Sequence, residues 1–107
     1  MKIRLADRAA FQPDRMAKIA LASTPRAQVD LYCLEPGQSQ KAHAHAEQDK
    51  VYVVLEGRGH FTLDGAAHAL ESGEALVAAA GHEHGVLNDS GARLLLLVFV
   101  APPPPHA

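Results

Sequence analysis

Turn-forming glycines recur along most of the chain, and the segments between them have the composition of strands. The glycines in question are Gly37, Gly57, Gly65, Gly73, Gly81 and Gly91. The intervening segments carry many β-branched and aromatic residues, which favour extended backbone. Short strands separated by turn signals every 8–12 residues or so are typical of β-sandwiches and barrels. The spacing therefore predicts an all-β fold, and no segment after residue 25 predicts a long helix.

Local composition and the turns between segments give the predicted strands. Asp64-Gly65 is the strongest hairpin signal, because both residues tolerate the positive φ angles of a tight two-residue turn. We predict strands at 16–22, 28–34, 50–56, 60–63, 66–70, 75–79, 84–87 and 93–100, together with one that carries His43 and His45.

The length of 107 residues suits one domain. We predict an N-terminal arm and edge strand over residues 1–27, a barrel over 28–100 and a proline-rich tail over 101–107. The first dozen residues mix charged and apolar side chains without a clear period, so we assign them no firm structure. The consecutive prolines of the tail cannot donate hydrogen bonds to a sheet, which predicts an extended polyproline II segment.

Seven consecutive apolar residues occupy positions 94–100. An uninterrupted apolar strand of this kind predicts burial on both faces. A small barrel buries only its inner face, so the outer face has to contact another segment or another subunit. We therefore predict a homodimer whose interface includes part of 94–99, with the strand at 16–22 either covering that surface or exchanged between subunits.

Charge and composition exclude several classes of partner. The net charge is −2 and the ten basic residues are scattered, whereas nucleic acids and anionic membranes bind clustered positive charge. No apolar run reaches the roughly 20 residues of a membrane-spanning helix. The N-terminus lacks the apolar core of a signal peptide, so we expect a cytoplasmic location. Cys33 lies in an apolar run and is expected to be a packed thiol. The expected partner is a small molecule or another copy of the chain.

Seven histidines are present, and two of them are one residue apart. On an extended strand His43 and His45 would project from the same face, roughly 7 Å apart, and could converge on one metal ion. Alternate histidines on a strand are more often ordinary polar residues, but His84 follows a second glycine turn and could complete a three-histidine site. Structural or exposed roles are expected for the others, which are His60, His68, His82 and His106.

The two histidine segments together resemble the paired motifs of the cupin superfamily. The first motif is matched by Gly37, His43, His45 and Gly57, and the second by Gly73, Gly81, His84 and Asn88. The resemblance extends roughly over residues 28–100. It implies a jelly-roll β-barrel with metal-binding histidines facing its interior. Neutral imidazoles suit a divalent transition metal, here Zn, Fe, Ni, Cu or Mn.

The chain departs from the family pattern at the fourth ligand. Lys50 stands where the family has a carboxylate, and a protonated ammonium cannot bind a metal ion. We predict a ligand set of His43, His45, Gln48 and His84. Asp49 in place of Gln48, or no fourth residue, stays open, because a bulge would re-aim these side chains. Lys50 could also act as a built-in cation in a metal-free site. If it points inward, Tyr52 and Val54 share its face. Ala79 replaces a family proline at a turn.

Three interpretations of function follow. The resemblance implies a metal-dependent enzyme, an oxygenase, isomerase or decarboxylase, acting on a small organic molecule such as a phenol, a keto acid or a sugar derivative. The same pocket suits a non-catalytic module that binds a small ligand or a metal. The lysine at position 50 favours a third interpretation, a metal-free structural barrel. Barrels of this kind host many chemistries, so the fold does not choose among the three.

Overall fold

The computed structural model describes residues 1–104, which form nine β-strands and one short 3-10 helix at Leu5–Asp7. The strands are β1 (Ala17–Ser23), β2 (Gln28–Leu34), β3 (Ser39–His43), β4 (Asp49–Glu56), β5 (Arg58–Leu63), β6 (Ala66–Glu71), β7 (Ala75–Ala78), β8 (His84–Leu87) and β9 (Leu94–Ala101). This confirms the predicted all-β class. The last part of the predicted polyproline tail, residues 105–107 with His106, lies outside the described residues. Within residues 1–104 no helix is long and apolar enough to cross a membrane.

The strands form two antiparallel sheets. One sheet has the order β1-β2-β9-β4-β7 and the other the order β3-β8-β5-β6. Strands distant in sequence lie side by side, since β9 pairs with both β2 and β4, and β8 pairs with both β3 and β5. Two antiparallel sheets joined by such crossings enclose one core, which is the predicted jelly-roll barrel.

The turn between β5 and β6 shows how local sequence sets the register. Asp64 has a φ of 51° and Gly65 a φ of 81°, which is the backbone of a type I′ turn. Leu63 consequently pairs with Ala66, and the register continues to Arg58 opposite Glu71. The predicted hairpin is confirmed.

The core lies between the two sheets and consists of alternate residues of each strand. Its members include Tyr32, Leu34, Tyr52, Val54, Phe61, Leu94, Leu96 and Val98. In β4 the burial alternates, so that Lys50, Tyr52 and Val54 all point inward. A lysine therefore lies inside the barrel, on the same face as two core residues.

The outer face of β9 is covered only in part. Leu95 belongs to a second apolar cluster that also includes Leu31 and Cys33, and the N-terminal arm packs on this cluster through Ile3, Leu5, Ala9 and Phe11. Phe99 remains 38% exposed. Within one chain the outer face of β9 is thus not fully covered at Phe99, and the predicted burial there requires a second subunit. The segment expected to cover β9 instead forms β1, which extends the sheet beside β2. The homodimer stays a prediction.

Candidate metal site

Three histidines meet at one end of the barrel. His43 is the last residue of β3, His45 follows two residues later, and His84 is the first residue of β8. The ring centres of His43 lie 4.9 Å from His45 and 4.5 Å from His84, and those of His45 and His84 lie 5.9 Å apart. One potential ligand nitrogen from each ring lies within 4.8 Å of the other two. The predicted convergence of these three side chains is confirmed.

The backbone brings His43 and His84 together through strand pairing. They are directly opposite each other in the β3–β8 ladder, just beyond a register shift that follows Gln40. Gly85 permits this close approach, because a Cβ atom there would lie 2.9 Å from the Ala42 nitrogen and 2.9 Å from the Gln40 carbonyl oxygen. His45 lies beyond the end of β3, so the prediction of one continuous strand through both histidines is wrong. A bulged strand end delivers both rings instead.

The hydrogen bonds of the rings fix which nitrogen can bind a metal. His43 Nδ1 lies 2.8 Å from the Lys41 carbonyl oxygen and His84 Nδ1 lies 3.0 Å from the His82 carbonyl oxygen. A carbonyl oxygen can only accept, so Nδ1 carries the proton in both rings and a neutral ring presents the lone pair of Nε2. This backbone-anchored arrangement is the one that metal-binding histidines adopt.

The surroundings of His84 Nε2 test independently whether a metal ion fits this site. It is the one fully buried side-chain nitrogen or oxygen atom in residues 1–104 that has no hydrogen-bond partner. A buried polar atom without a partner destabilises the fold by about 1–3 kcal/mol, so such atoms call for an explanation. A metal ion held by the three histidines would satisfy this nitrogen, and the donor set fits a divalent transition metal.

The candidates for the fourth ligand are separated by their positions. Asp49 is exposed, and its Oδ1 atom accepts a hydrogen bond from the Ala80 backbone nitrogen at 2.9 Å. That contact holds the carboxylate at the β4–β7 edge. Gln48 is 8% exposed and immediately precedes β4, two positions before the inward-pointing Lys50. Gln48 as fourth ligand stays a prediction; its burial is consistent with an inward-pointing side chain, whereas Asp49 is exposed.

Lys50 takes part in a polar network inside the barrel. Its Nζ atom donates to Gln40 Oε1 at 3.2 Å, and the same oxygen accepts the Tyr52 hydroxyl proton at 2.7 Å. The Gln40 amide nitrogen donates to the Tyr32 hydroxyl oxygen at 3.3 Å. The ammonium also lies 5.0 Å from the Tyr32 ring centre and 5.1 Å from that of Tyr52, within cation–π range. Lys50 thus has one oxygen acceptor and two aromatic faces.

Burial and positive charge shift the protonation equilibria of this region. Burial, reinforced by the charge of Lys18, lowers the pKa of Lys50 to about 7, while Asp30 acts in the opposite direction. Burial also lowers the pKa of His45 and of His84, and the charge of Lys50 contributes to both shifts. The lower pKa values favour, for His45 and His84, the neutral form that a metal ion requires.

The remaining conspicuous polar residues have structural contacts. His60 pairs with Asp89 and His82 pairs with Asp64, all at exposed positions. His82 Nδ1 lowers the pKa of the Asp64 carboxyl by hydrogen bonding. Asn88 is fully buried, and its amide nitrogen donates to the carbonyl oxygens of Leu34 and Ala92. The expectation of structural or exposed roles agrees with these positions.

Sequence reasoning missed three polar residues around Lys50, namely Asp30, Tyr32 and Gln40. Asp30 is 1% exposed, and both of its carboxylate oxygens accept hydrogen bonds from the Gln28 amide nitrogen. The available signal was alternation along β2, since residues 30 and 32 share the inward face with Leu34. Gln40 gave no signal of its own, because its position depends on the bulge in β3.

The fold and the site together define a small β-barrel protein with an internal three-histidine cluster. The family model described as the cupin domain matches residues 30–100, well over half of the chain. The chain therefore belongs to the cupin family. The sequence-based resemblance is confirmed.

Similar proteins support this assignment. The crystal structure of TT1209 from Thermus thermophilus is 44% identical, has a TM-score of 0.93 and aligns over 97% of this chain and 100% of that one. An RmlC-like cupin protein from Desulfovibrio desulfuricans is 29% identical, with a TM-score of 0.86 over 97% and 99% of the two chains. An uncharacterised Aquifex aeolicus protein is 34% identical over 61 residues, which are 57% of this chain. The chain spans about half the length of that curated relative.

Proposed function

We propose that this cupin binds a divalent transition metal ion through His43, His45 and His84, with Gln48 as fourth ligand, and acts on a small organic molecule at that ion. The buried, unpartnered Nε2 atom of His84 carries the proposal, because it lies beside two further imidazoles with free ligand nitrogens. Three or four protein ligands leave coordination positions open on Zn, Fe, Ni, Cu or Mn.

The bound ion would supply a Lewis acid that polarises an oxygen atom of the substrate. The residues of the chain contribute the other functions. The carbonyl groups of Lys41 and His82 hold two imidazoles in one tautomer, and the aromatic ring of Tyr52 lies beside His84. The reaction class proposed is oxygenation, isomerisation or decarboxylation of the small molecule.

A metal-free barrel is the competing function, and Lys50 is the observation that favours it. The ammonium is buried at the position where cupins have a carboxylate ligand, and it contacts Gln40 and two tyrosine rings rather than solvent. A cation placed there could replace the metal charge. In that case the barrel would bind a ligand, or serve as a structural module, without any ion.

Metal-dependent stabilisation distinguishes these functions. A ligand at a hundredfold excess over its Kd stabilises the folded state by about 2.7 kcal/mol, which corresponds to a rise in Tm of about 10 °C for a domain of this size. We expect this rise with at least one of Zn, Fe, Ni, Cu and Mn. His84→Ala should abolish it, whereas His68→Ala, which removes an exposed histidine, should leave it unchanged.

Turnover is then measured with the stabilising ion. Oxygen uptake and product formation are followed with a panel of phenols, keto acids and sugar derivatives. Metal-dependent turnover that His84→Ala removes supports the enzyme. Stabilisation by metal without turnover supports the binding module, and no stabilisation by any of the five ions supports the metal-free barrel.

A further inference from the structure

We propose that the interior site takes a small carboxylate anion and that Lys50 is the residue that binds its carboxylate group. This inference rests on the proposed function, since it places the ligand beside the three histidines. It concerns the side chain by which the chain departs from the cupin pattern, and it names the chemical class of the ligand.

The hydrogen bonds of Lys50 leave capacity for an anion. An ammonium group carries three N–H donors. Among the described residues, Gln40 Oε1 is the one acceptor that Lys50 Nζ reaches, and no carboxylate forms an ion pair with it. The other side-chain contacts are the two tyrosine rings, which attract the charge but accept no conventional hydrogen bond. A buried cation with spare donors is best compensated by an anionic acceptor.

The surrounding charges also favour an anion. Lys18 Nζ lies 5.5 Å from the centre of the same Tyr32 ring that Lys50 contacts. Asp30 is the buried carboxylate of this region; its two oxygens share one donor, the Gln28 amide nitrogen, and it forms no ion pair with Lys50 or Lys18. The region therefore contains two lysine charges and one carboxylate charge even without a metal ion. Three neutral imidazoles and a glutamine would add no negative charge, so a bound divalent ion increases the positive excess.

The site is polar in the places where a carboxylate would contact it. Gln40 fixes the lysine from one side, and its own amide is held by the hydroxyl groups of Tyr32 and Tyr52. These four side chains come from β2, β3 and β4, so the network is attached to both sheets of the barrel. His43 and His45 are only partly buried, which leaves the cluster open to solvent on that side. In this proposal a small anion enters on that side, from which it would have to reach an ammonium on a side chain that is 2% exposed.

Lactate and lactamide provide a matched pair of probes, because they have nearly the same shape and only lactate is charged. Binding to the protein is measured by calorimetry, with and without Co²⁺, and the visible absorbance of Co²⁺ reports changes at the metal. We expect wild-type protein to bind lactate at least about tenfold more tightly than lactamide, the effect of one charge-assisted hydrogen bond. Equal affinities for the two probes would overturn the proposal without any variant.

Lys50→Met tests the residue assignment, and Lys2→Met is the matched control at an exposed lysine of the N-terminal arm. Lys50→Met should retain Co²⁺ and its absorbance while the preference for lactate is lost. Lys2→Met should keep the preference. A Lys50→Met protein that still prefers lactate as wild type does would refute the role of Lys50.

The same measurements separate this inference from the proposed function. Uptake of Co²⁺ without any preference for lactate would leave the metal site standing and eliminate the anion site. A Lys50-dependent preference for lactate in wild-type protein that takes up no Co²⁺ would support the anion site and eliminate the metal site.

Discussion

Replacement of Lys50 by glutamate would restore the carboxylate that cupins have at this position. The side chain at position 50 points inward from β4, on the same face as Tyr52. The substitution exchanges a positive for a negative charge on the side of the barrel where the histidines lie. We expect Lys50→Glu to bind a divalent metal ion more tightly than the wild-type chain does.

Two distances set the magnitude. Lys50 Nζ lies 5.1 Å from the Tyr52 ring centre, which lies 5.9 Å from the His84 ring centre, so the charge is at most about 11 Å from that ring. At this separation, with an effective dielectric constant of about 20, a unit negative charge attracts a divalent ion by about 3 kcal/mol. This figure counts only the attraction exerted by the glutamate and leaves out the repulsion between the Lys50 ammonium and the ion in the wild-type chain. The expected gain is about a hundredfold in Kd.

The assay compares Lys50→Glu with Lys50→Gln, which has the same length and no charge. Zn²⁺ and Ni²⁺ affinities are measured by competition with a chromophoric chelator, and circular dichroism of the metal-free proteins verifies that both variants fold. The glutamate variant should bind about a hundredfold more tightly. Equal affinities in the two variants would refute the placement of residue 50 beside the metal ion.

Three further predictions concern pH, the core and assembly. Because the folded-state pKa values of His45 and His84 are lowered, the unfolded chain binds more protons, so the free energy of unfolding should fall as pH drops below about 6.5. Urea unfolding should show a weaker pH dependence in His84→Gln. Leu96→Asp places a charge at a fully buried core position and should leave the chain unfolded by circular dichroism; a folded variant would contradict the position of Leu96 in the core. Light scattering should detect a homodimer at tens of micromolar that Phe99→Lys dissociates and Leu87→Lys, on the other sheet, does not. A monomeric wild-type chain would contradict the dimer.

The elements that sequence predicted correctly depend on short-range patterns. The Asp64-Gly65 turn requires positive φ angles that few residue pairs adopt, and the structure has them. The strand from Gln28 to Leu34 was bounded by turn residues on both sides, and β2 has those bounds. His43, His45 and His84 could be assigned to one site because the spacing of the two motifs sets their positions relative to the glycine turns.

The elements that sequence did not predict depend on contacts between distant segments. Packing of the N-terminal arm against Leu31 and Leu95 follows from the shape of the finished sheet, which no local pattern encodes. The direction of Lys50 could not be decided from spacing, because a bulge of one residue before β4 would have reversed it. Gln40 became the centre of the polar network only through the register of β3 against β8.

The number of metal ions per chain tests the central claim most directly. Untagged wild-type protein and His84→Ala are purified, equilibrated with Zn, Fe, Ni, Cu and Mn, and dialysed before elemental analysis by mass spectrometry. If His43, His45 and His84 form the site, the wild-type chain should retain one equivalent of metal at about pH 7.5, where few protons compete with the metal ion, and the variant close to none. A wild-type chain without metal, or a variant that retains as much as wild type, would contradict the account.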